Sequence, residues 1–408
     1  MSLLRDRLKE LAKKREEASK DPPKEAQPPQ RPSCAQRTER FALPPLRLQG
    51  EGLALLGEEE AARAYAGPES LAFLDVETTG LSHGAGTVAF EIGVGRIRGG
   101  CMEVRQLWMR DYDQEEDMLR RLAELLQGAA VLVSFNGKSF DLPMLEGRMV
   151  MNRLPPACLH LPLIDLLHPA RRMYKLRLRT CTLTNLEERV LGFTRQDDVP
   201  GAQIPGLWWQ FLKDGNEEPL QKVFEHNARD VYSMALLLQA LHDGHLSPLE
   251  LESVEDVYSV GRVLERAGRV ELAESCYLRL DGGPLRGLSG QALSRLYRRQ
   301  GRLEDRIALL QGMAQAGSGG VFPHVELAKI YEHKHKKLDL ALAHTERAMF
   351  LCADEAQMQA LRQRRARLKR KKTALGLRKE REGSREDGRM EGELNGAQGR
   401  GAANHQER

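Results

Sequence analysis

The run LAFLDVETTGL at residues 71–81 constrains this chain more than any other segment. It opens as a short apolar strand of β type and ends on Asp75 and Glu77, two residues apart. Side chains at i and i+2 of a strand point to the same face, so the two carboxylates stand side by side at the strand's end. Like charges that close repel each other unless a cation intervenes. A polar strand end entering a Thr-Thr-Gly turn is the plainer reading of an isolated Asp-x-Glu, so its companions elsewhere in the chain decide what it means.

Those companions lie in an alternation of strands and helices. Residues 87–97 (TVAFEIGVGRI), the turn glycines Gly99 and Gly100, and residues 101–109 (CMEVRQLWM) continue the β pattern and predict three hairpin-connected strands. Met118, Leu119, Leu122, Leu125 and Leu126 form a helical stripe, and residues 130–135 return to a buried type of strand. A helix at 142–154, a strand at 159–165 and further helices to about residue 240 follow. The predicted class is α/β, a mixed sheet flanked by helices over residues 70–242.

With 408 residues, 41% of them apolar, the chain has room for two or three domains, each with a core. Beyond residue 246 the strand signal stops. Gly268-Arg269-Val270-Glu271 recurs as Gly301-Arg302-Leu303-Glu304, thirty-three residues later, which is the period of helix-turn-helix repeats. Ala328, Tyr331, Ala341 and Ala348 fit a third copy. This predicts an all-α, tetratricopeptide-like repeat domain at residues 250–372, whose repeats imply a protein partner. Residues 1–45 read as a basic, Pro-rich segment and linker, since DPPKEAQPPQRP at 21–32 has almost nothing apolar to bury. Residues 373–408 read as a disordered tail.

The net charge is only +4, so any nucleic-acid patch must be local. Residues 362–372 (RQRRARLKRKK) carry eight basic side chains and no acidic one, either as a phosphate grip or as a solvated helix face. No run approaches the roughly 18 apolar residues that cross a bilayer. The six cysteines lie far apart without a C-x-x-C pair. These features point to a soluble protein of a reducing cytoplasm.

Two further motifs bear on Asp75 and Glu77. In VSFNGKSFDLPML a buried type of strand ends at Asn136 and a helix opens near Asp141. In EHNARDVYSMALLL, His226 and Asp230 are four apart and share one helix face, beside a stripe of Val223, Val231, Met234 and Leu238. Taken singly, the first aspartate is a helix cap and the pair a surface contact.

Together these residues resemble the three exonuclease motifs of the DEDD superfamily, the ribonuclease H-like 3′–5′ exonucleases that include polymerase proofreading domains. The matches are Asp75 and Glu77 in D-x-E-T-T-G, Asp141 in N-x-x-x-F-D, and Asp230 in the third motif. The similarity covers about residues 70–242, and a domain of this kind followed by tetratricopeptide-like helices is similar to the YprB-like group. It implies a ribonuclease H-like sheet and hydrolysis of phosphodiester bonds at single-stranded or frayed ends of DNA or RNA. By the same resemblance, Asp75, Glu77, Asp141 and Asp230 hold two Mg²⁺ or Mn²⁺ ions, Asp75 bridging both, and His226 is the general base. The spacing departs from the family: its histidine branch has His-x4-Asp and its tyrosine branch Tyr-x3-Asp, whereas this chain sets His226 at the tyrosine-branch spacing.

The chemistry suits these residue types. Two hard cations roughly 4 Å apart can activate water and support the leaving oxygen, and such cations prefer carboxylate oxygen to thiolate. An imidazole accepts a proton near pH 7 more readily than a tyrosine phenol. Tyr232 is a weaker substitute base, and Asp165 is an additional site candidate that reads more simply as a helix cap. His168, Arg171, Arg172 and Lys175 are candidates for phosphate contact, or a solvated basic face. Phe135 and Phe140 read as core more readily than as base-stacking groups, while Trp208 and Trp209 fall in an expected loop where neither role is favoured. Two rival functions share the motifs: a nuclease fold without turnover that docks nucleic acid or protein, and a ribonuclease H-like endonuclease.

Overall fold

The computed structural model describes residues 32–80 and 86–398, with side chains described to residue 377. Two compact units result, Met1–His168 with Thr182–Ala240, and Pro169–Cys181 with Leu241–Arg408.

The first unit is built on a six-stranded mixed sheet. Its strands are β1 (Ala35–Ala42), β2 (Leu71–Thr78), β3 (Ala89–Arg98), β4 (Cys101–Trp108), β5 (Val131–Ser134) and β6 (Leu163–Asp165), in the order β1-β4-β3-β2-β5-β6. The first four pair antiparallel, and β2, β5 and β6 run parallel. Gly99 and Gly100 form the β3–β4 turn at φ of +57° and +79°, the left-handed conformation that a two-residue hairpin turn requires. The strand carrying Asp75 and Glu77 is thus interior, between β3 and β5, with its register shifted just after Glu77.

Helices α1 (Gly50–Leu55), α2 (Glu59–Ala64), α3 (Glu115–Leu125), α4 (Asp141–Met151), α5 (Leu167–Leu178), α6 (Leu183–Leu186), α7 (Ile204–Asp214) and α8 (Leu220–Leu246) follow in chain order. α3 buries the predicted Met118, Leu119 and Leu122. The core joins these to Leu74, Phe90, Ile92 and Phe224, with Trp208 stacked on Phe90 at 5.2 Å. Trp208 and Trp209 therefore lie on a helix, not in the expected loop, and Trp208 is wholly buried while Trp209 is exposed. Phe135 and Phe140 are half-buried rather than core.

A strand stands where linker was expected. Ala35–Ala42 pairs along its whole length with β4, alternating half-buried with exposed residues. AQRTERFA has no apolar run because an edge strand with one wet face needs none. The Pro-rich residues 21–31 lie outside those described.

The second unit holds three successive helix pairs: α9 (Val254–Arg266) with α10 (Val270–Leu278), α11 (Arg286–Gln300) with α12 (Leu303–Gln315), and α13 (Val321–His333) with α14 (Leu338–Leu351). Gly268 and Gly301 end the first helix of the first two pairs at φ of +76° and +74°, which is the residue that such a helix end favours. Ala328, Tyr331, Ala341 and Ala348 are buried.

The last helix, α15 (Glu355–Gln398), continues through most of the segment expected to be a disordered tail; residues 399–408 lie outside the described residues. Its stretch is rich in Glu, Lys and Arg, residues of good helix propensity. Glu332, fully buried on α13, receives Arg364, Arg367 and Lys371 of this helix. No helix among the described residues is long and apolar enough to cross a membrane.

Candidate active site

Asp75 and Glu77 share one face of β2, and their surroundings on β3 are unusual. Gly93 is the cross-strand partner of Asp75 and Glu91 that of Glu77. A Cβ at position 93 would lie 2.0 Å from the Asn227 side-chain oxygen, so only glycine lets α8 come this close. Asn227 uses that proximity to donate to Asp75 Oδ2 at 2.9 Å, while its own oxygen accepts from Gln106 at 3.1 Å. The Gln106 amide also donates to Glu91 at 2.7 Å and to the Phe224 carbonyl at 2.7 Å.

Asp141 begins α4 and is almost fully buried. The turn before it is tight: Asn136 has φ of +70°, and a Cβ on Gly137 would meet Ser134 Oγ at 2.5 Å. Asp165, at the end of β6, accepts from the backbone N–H groups of Asn136 (2.8 Å), Lys138 (3.1 Å) and Leu167 (3.1 Å). It thereby shapes the turn that delivers Asp141 and caps α5.

On α8, His226 Nε2 lies 3.9 Å from Glu77 and 3.6 Å from Asp230. Its Nδ1 lies 2.8 Å from Asp198. The guanidinium of Arg195, 2% exposed, bonds Asp230, Asp198 at 3.1 Å and Glu187 at 2.5 Å, and also stands 3.2 Å from His226 Nδ1. Both groups converge on one ring nitrogen, so Nδ1 is held by Asp198 and Arg195 while Nε2 faces Glu77 and Asp230. Tyr232 points elsewhere, its hydroxyl donating to the Ala42 carbonyl at 3.2 Å and its ring packing on Phe41. It takes no part in the site.

The electrostatics record how close the acids are. Burial, then Asp230 and Asp141, drive Asp75 well above the ordinary carboxylate range, against the pull of Asn227. Burial and the charge of Asp75, with Glu91, Asp230 and Asp141 adding, do the same to Glu77. Burial and the neighbouring Asp165 push Asp141 up to about 7. Burial raises Asp230 although His226 and Arg195 pull the other way. Glu91 is pushed up to about 8, again by burial first, with Arg37 and the Gln106 hydrogen bond pulling the other way. Burial also opposes ionisation of Asp198, but the His226 hydrogen bond and Arg195 hold it below its usual range.

Asp75 and Glu77, raised by the charges of Asp141 and Asp230, form with those two acids a donor set suited to a hard divalent cation. Among the described residues, however, no three His, Cys, Asp or Glu side chains converge tightly enough to enclose an ion as they stand, and Arg195 occupies Asp230.

The sequence reading missed Glu91, Gln106, Glu187, Arg195, Asp198 and Asn227. Glu91 carried a signal, an acid set inside the apolar run VAFEIGV. Asn227 stood between the chosen His226 and Asp230, but nothing in EHNARD distinguishes it. Arg195 and Asp198 lie in a connection whose geometry has no periodic signature.

The sheet, its flanking helices and the helical region that follows form a ribonuclease H-like fold with an α-helical C-terminal unit, and residues 72–242 match the family described as the RNase_H superfamily. More particularly, the chain belongs to the family of YprB, an uncharacterized protein of Bacillus subtilis, to which it is 30% identical over 333 residues, 76% of this chain and 77% of YprB. A solved structure of the family B DNA polymerase of the archaeon Pyrobaculum calidifontis is similar over 52% of this chain and 29% of its own, at 15% identity and a TM-score of 0.36. So distant a likeness carries no argument here.

Proposed function

We propose that this protein is a metal-dependent 3′–5′ exonuclease that hydrolyses phosphodiester bonds at single-stranded or frayed ends of nucleic acid. Asp75, Glu77, Asp141 and Asp230 would hold two Mg²⁺ or Mn²⁺ ions, which when bound supply Lewis-acid stabilisation of the charge developing on phosphate. The observation that carries this reading is the gathering of the buried Asp141 and the half-buried Asp75, Glu77 and Asp230, with His226 Nε2 directed at Glu77 and Asp230. His226 takes the proton of the attacking water at Nε2, and Asp198 holds the ring at Nδ1. Asn227 fixes Asp75, and Asp165 fixes the turn before Asp141. Trp209, 42% exposed and bonded through Nε1 to the Thr79 carbonyl at 3.4 Å, offers a face on which an unpaired base can stack. The direction of digestion follows the resemblance of the three motifs. The helix pairs of the second unit read as tetratricopeptide-like repeats that take a protein partner.

One observation favours a second reading, a docking module without turnover: Arg195 neutralises Asp230, an acid the metal site would need. An end-labelled oligonucleotide incubated with Mn²⁺ separates the alternatives. A ladder of single-nucleotide steps from the 3′ end, lost in Asp75→Asn, is the expected result. Internal cuts would indicate an endonuclease, and binding without cleavage the docking module.

A further inference from the structure

The second unit carries a groove that the carboxylate site does not explain. Arg172 and Lys175 stand one turn apart on α5, and Arg262 and Arg266 one turn apart on α9; together they line a groove of about 390 Å³ with no acidic residue in its lining. All four are exposed. The acids of α9 are engaged elsewhere: Asp256 with Arg177 at 2.8 Å, Glu265 with Tyr277 at 2.6 Å and with Arg299, and Glu255 with Ser253 at 2.9 Å. α5 has no acid at all within LHPARRMYKLRL. Of the eight cations in the basic run on α15, Arg362, Arg364, Arg367, Lys371 and Lys372 meet a carboxylate.

We propose that this groove grips the phosphodiester backbone of a single-stranded nucleic acid. Cations facing one another on two helices repel, and a bound polyanion relieves that repulsion. Three of the four are arginines, whose planar fork matches the oxygens of a phosphate. Leu176, 47% exposed, and Val263 add apolar surface on which a sugar or base edge can rest. The choice of nucleic acid over another polyanion rests on the exonuclease reading above.

The test uses the full chain, a short fluorescent oligothymidylate and chelator to prevent cleavage. Arg262→Glu with Arg266→Glu is compared with Arg365→Glu and Lys369→Glu on α15, which changes the charge equally. The groove variant is expected to raise Kd at least about tenfold and to flatten the dependence of log affinity on log salt by about 1.4, two contacts at roughly 0.7 each. The α15 variant should stay near the parent. Should the groove variant fold poorly by circular dichroism, Arg262→Gln with Arg266→Gln must give the same signs at smaller size. Unchanged Kd and slope in a groove variant that still cleaves would overturn the groove and leave the exonuclease standing. Groove-dependent binding by a protein that never cleaves would do the reverse. Groove-dependent binding of poly-glutamate, with none of the oligonucleotide, would assign the groove to an acidic protein and overturn the proposal.

Discussion

At the scale of single residues, the site depends on side chains that hold other side chains. Asp198 is the clearest, because its bond to Nδ1 decides which nitrogen of His226 faces the acids. Asp198→Ala is expected to lower kcat roughly 10- to 100-fold with KM nearly unchanged, the loss typical of an orienting partner. Asp198→Asn, which can still accept at Oδ1, should recover part of it. Equal kcat in all three proteins would remove Asp198 from the mechanism. Glu91 gives a pH test. Its carboxyl is raised from 4.5 to about 8, so the folded state keeps a proton that the unfolded chain releases. Stability therefore falls as pH rises across that window and levels off above it. Glu91→Gln retains an oxygen to accept from Gln106 but cannot ionise. The variant should gain on the parent by up to a few kcal/mol between pH 5 and 8, read from urea midpoints. A difference independent of pH would mean that Glu91 is ionised in the fold.

At the scale of elements, the docking of α8 on β3 is what turns three separate motifs into one site. Its weak point is Gly93. A methyl group there collides with Asn227 at 2.0 Å, and the neighbour is a stem tied into two hydrogen bonds, so it cannot yield cheaply. Gly93→Ala should cost about 1–3 kcal/mol and remove activity together with it. Gly147→Ala, at a position with open space around it, is the matching control and should be tolerated. The fold was legible where a pattern repeats. The β2, β3 and β4 runs and the α3 stripe announced themselves through periodicity, and the acids through order and spacing. β1 was hidden because an edge strand reads like a polar segment. Asp165 was legible as a residue of interest and as a cap, but only the turn at Asn136 and Lys138 shows what else its carboxylate holds. Arg195 was invisible, since its partners lie 3, 8 and 35 residues away.

At the scale of the molecule, local sequence charge misleads about surface charge. The +8 of residues 362–372 suggests a phosphate grip, yet three of its cations serve the buried Glu332, held down to about 2 although its burial works the other way. Leu368 is part of the core with Leu310, Leu327 and Tyr331. Removing residues from 362 onward should therefore unfold the second unit's end rather than merely weaken binding. It removes the three cations that hold the Glu332 carboxylate and takes Leu368 out of the core. Glu332→Gln in the truncated chain should restore part of the lost thermal stability. A truncated protein as stable as the parent would refute this account.

The bond from Asn227 to Asp75 joins residues 152 positions apart. Closing so long a loop costs about 4–5 kcal/mol in chain entropy, whereas the two-glycine β3–β4 hairpin closes almost none. The sequence-adjacent strands β2, β3 and β4 can therefore form early, with their acids still in water, while α8 arrives late. On the proposed function, the return of cleavage is thus a clock for the last step of folding. On dilution from denaturant, the return of cleavage should lag behind the return of the sheet's circular dichroism, and simultaneous recovery would show that α8 docks with the first strands.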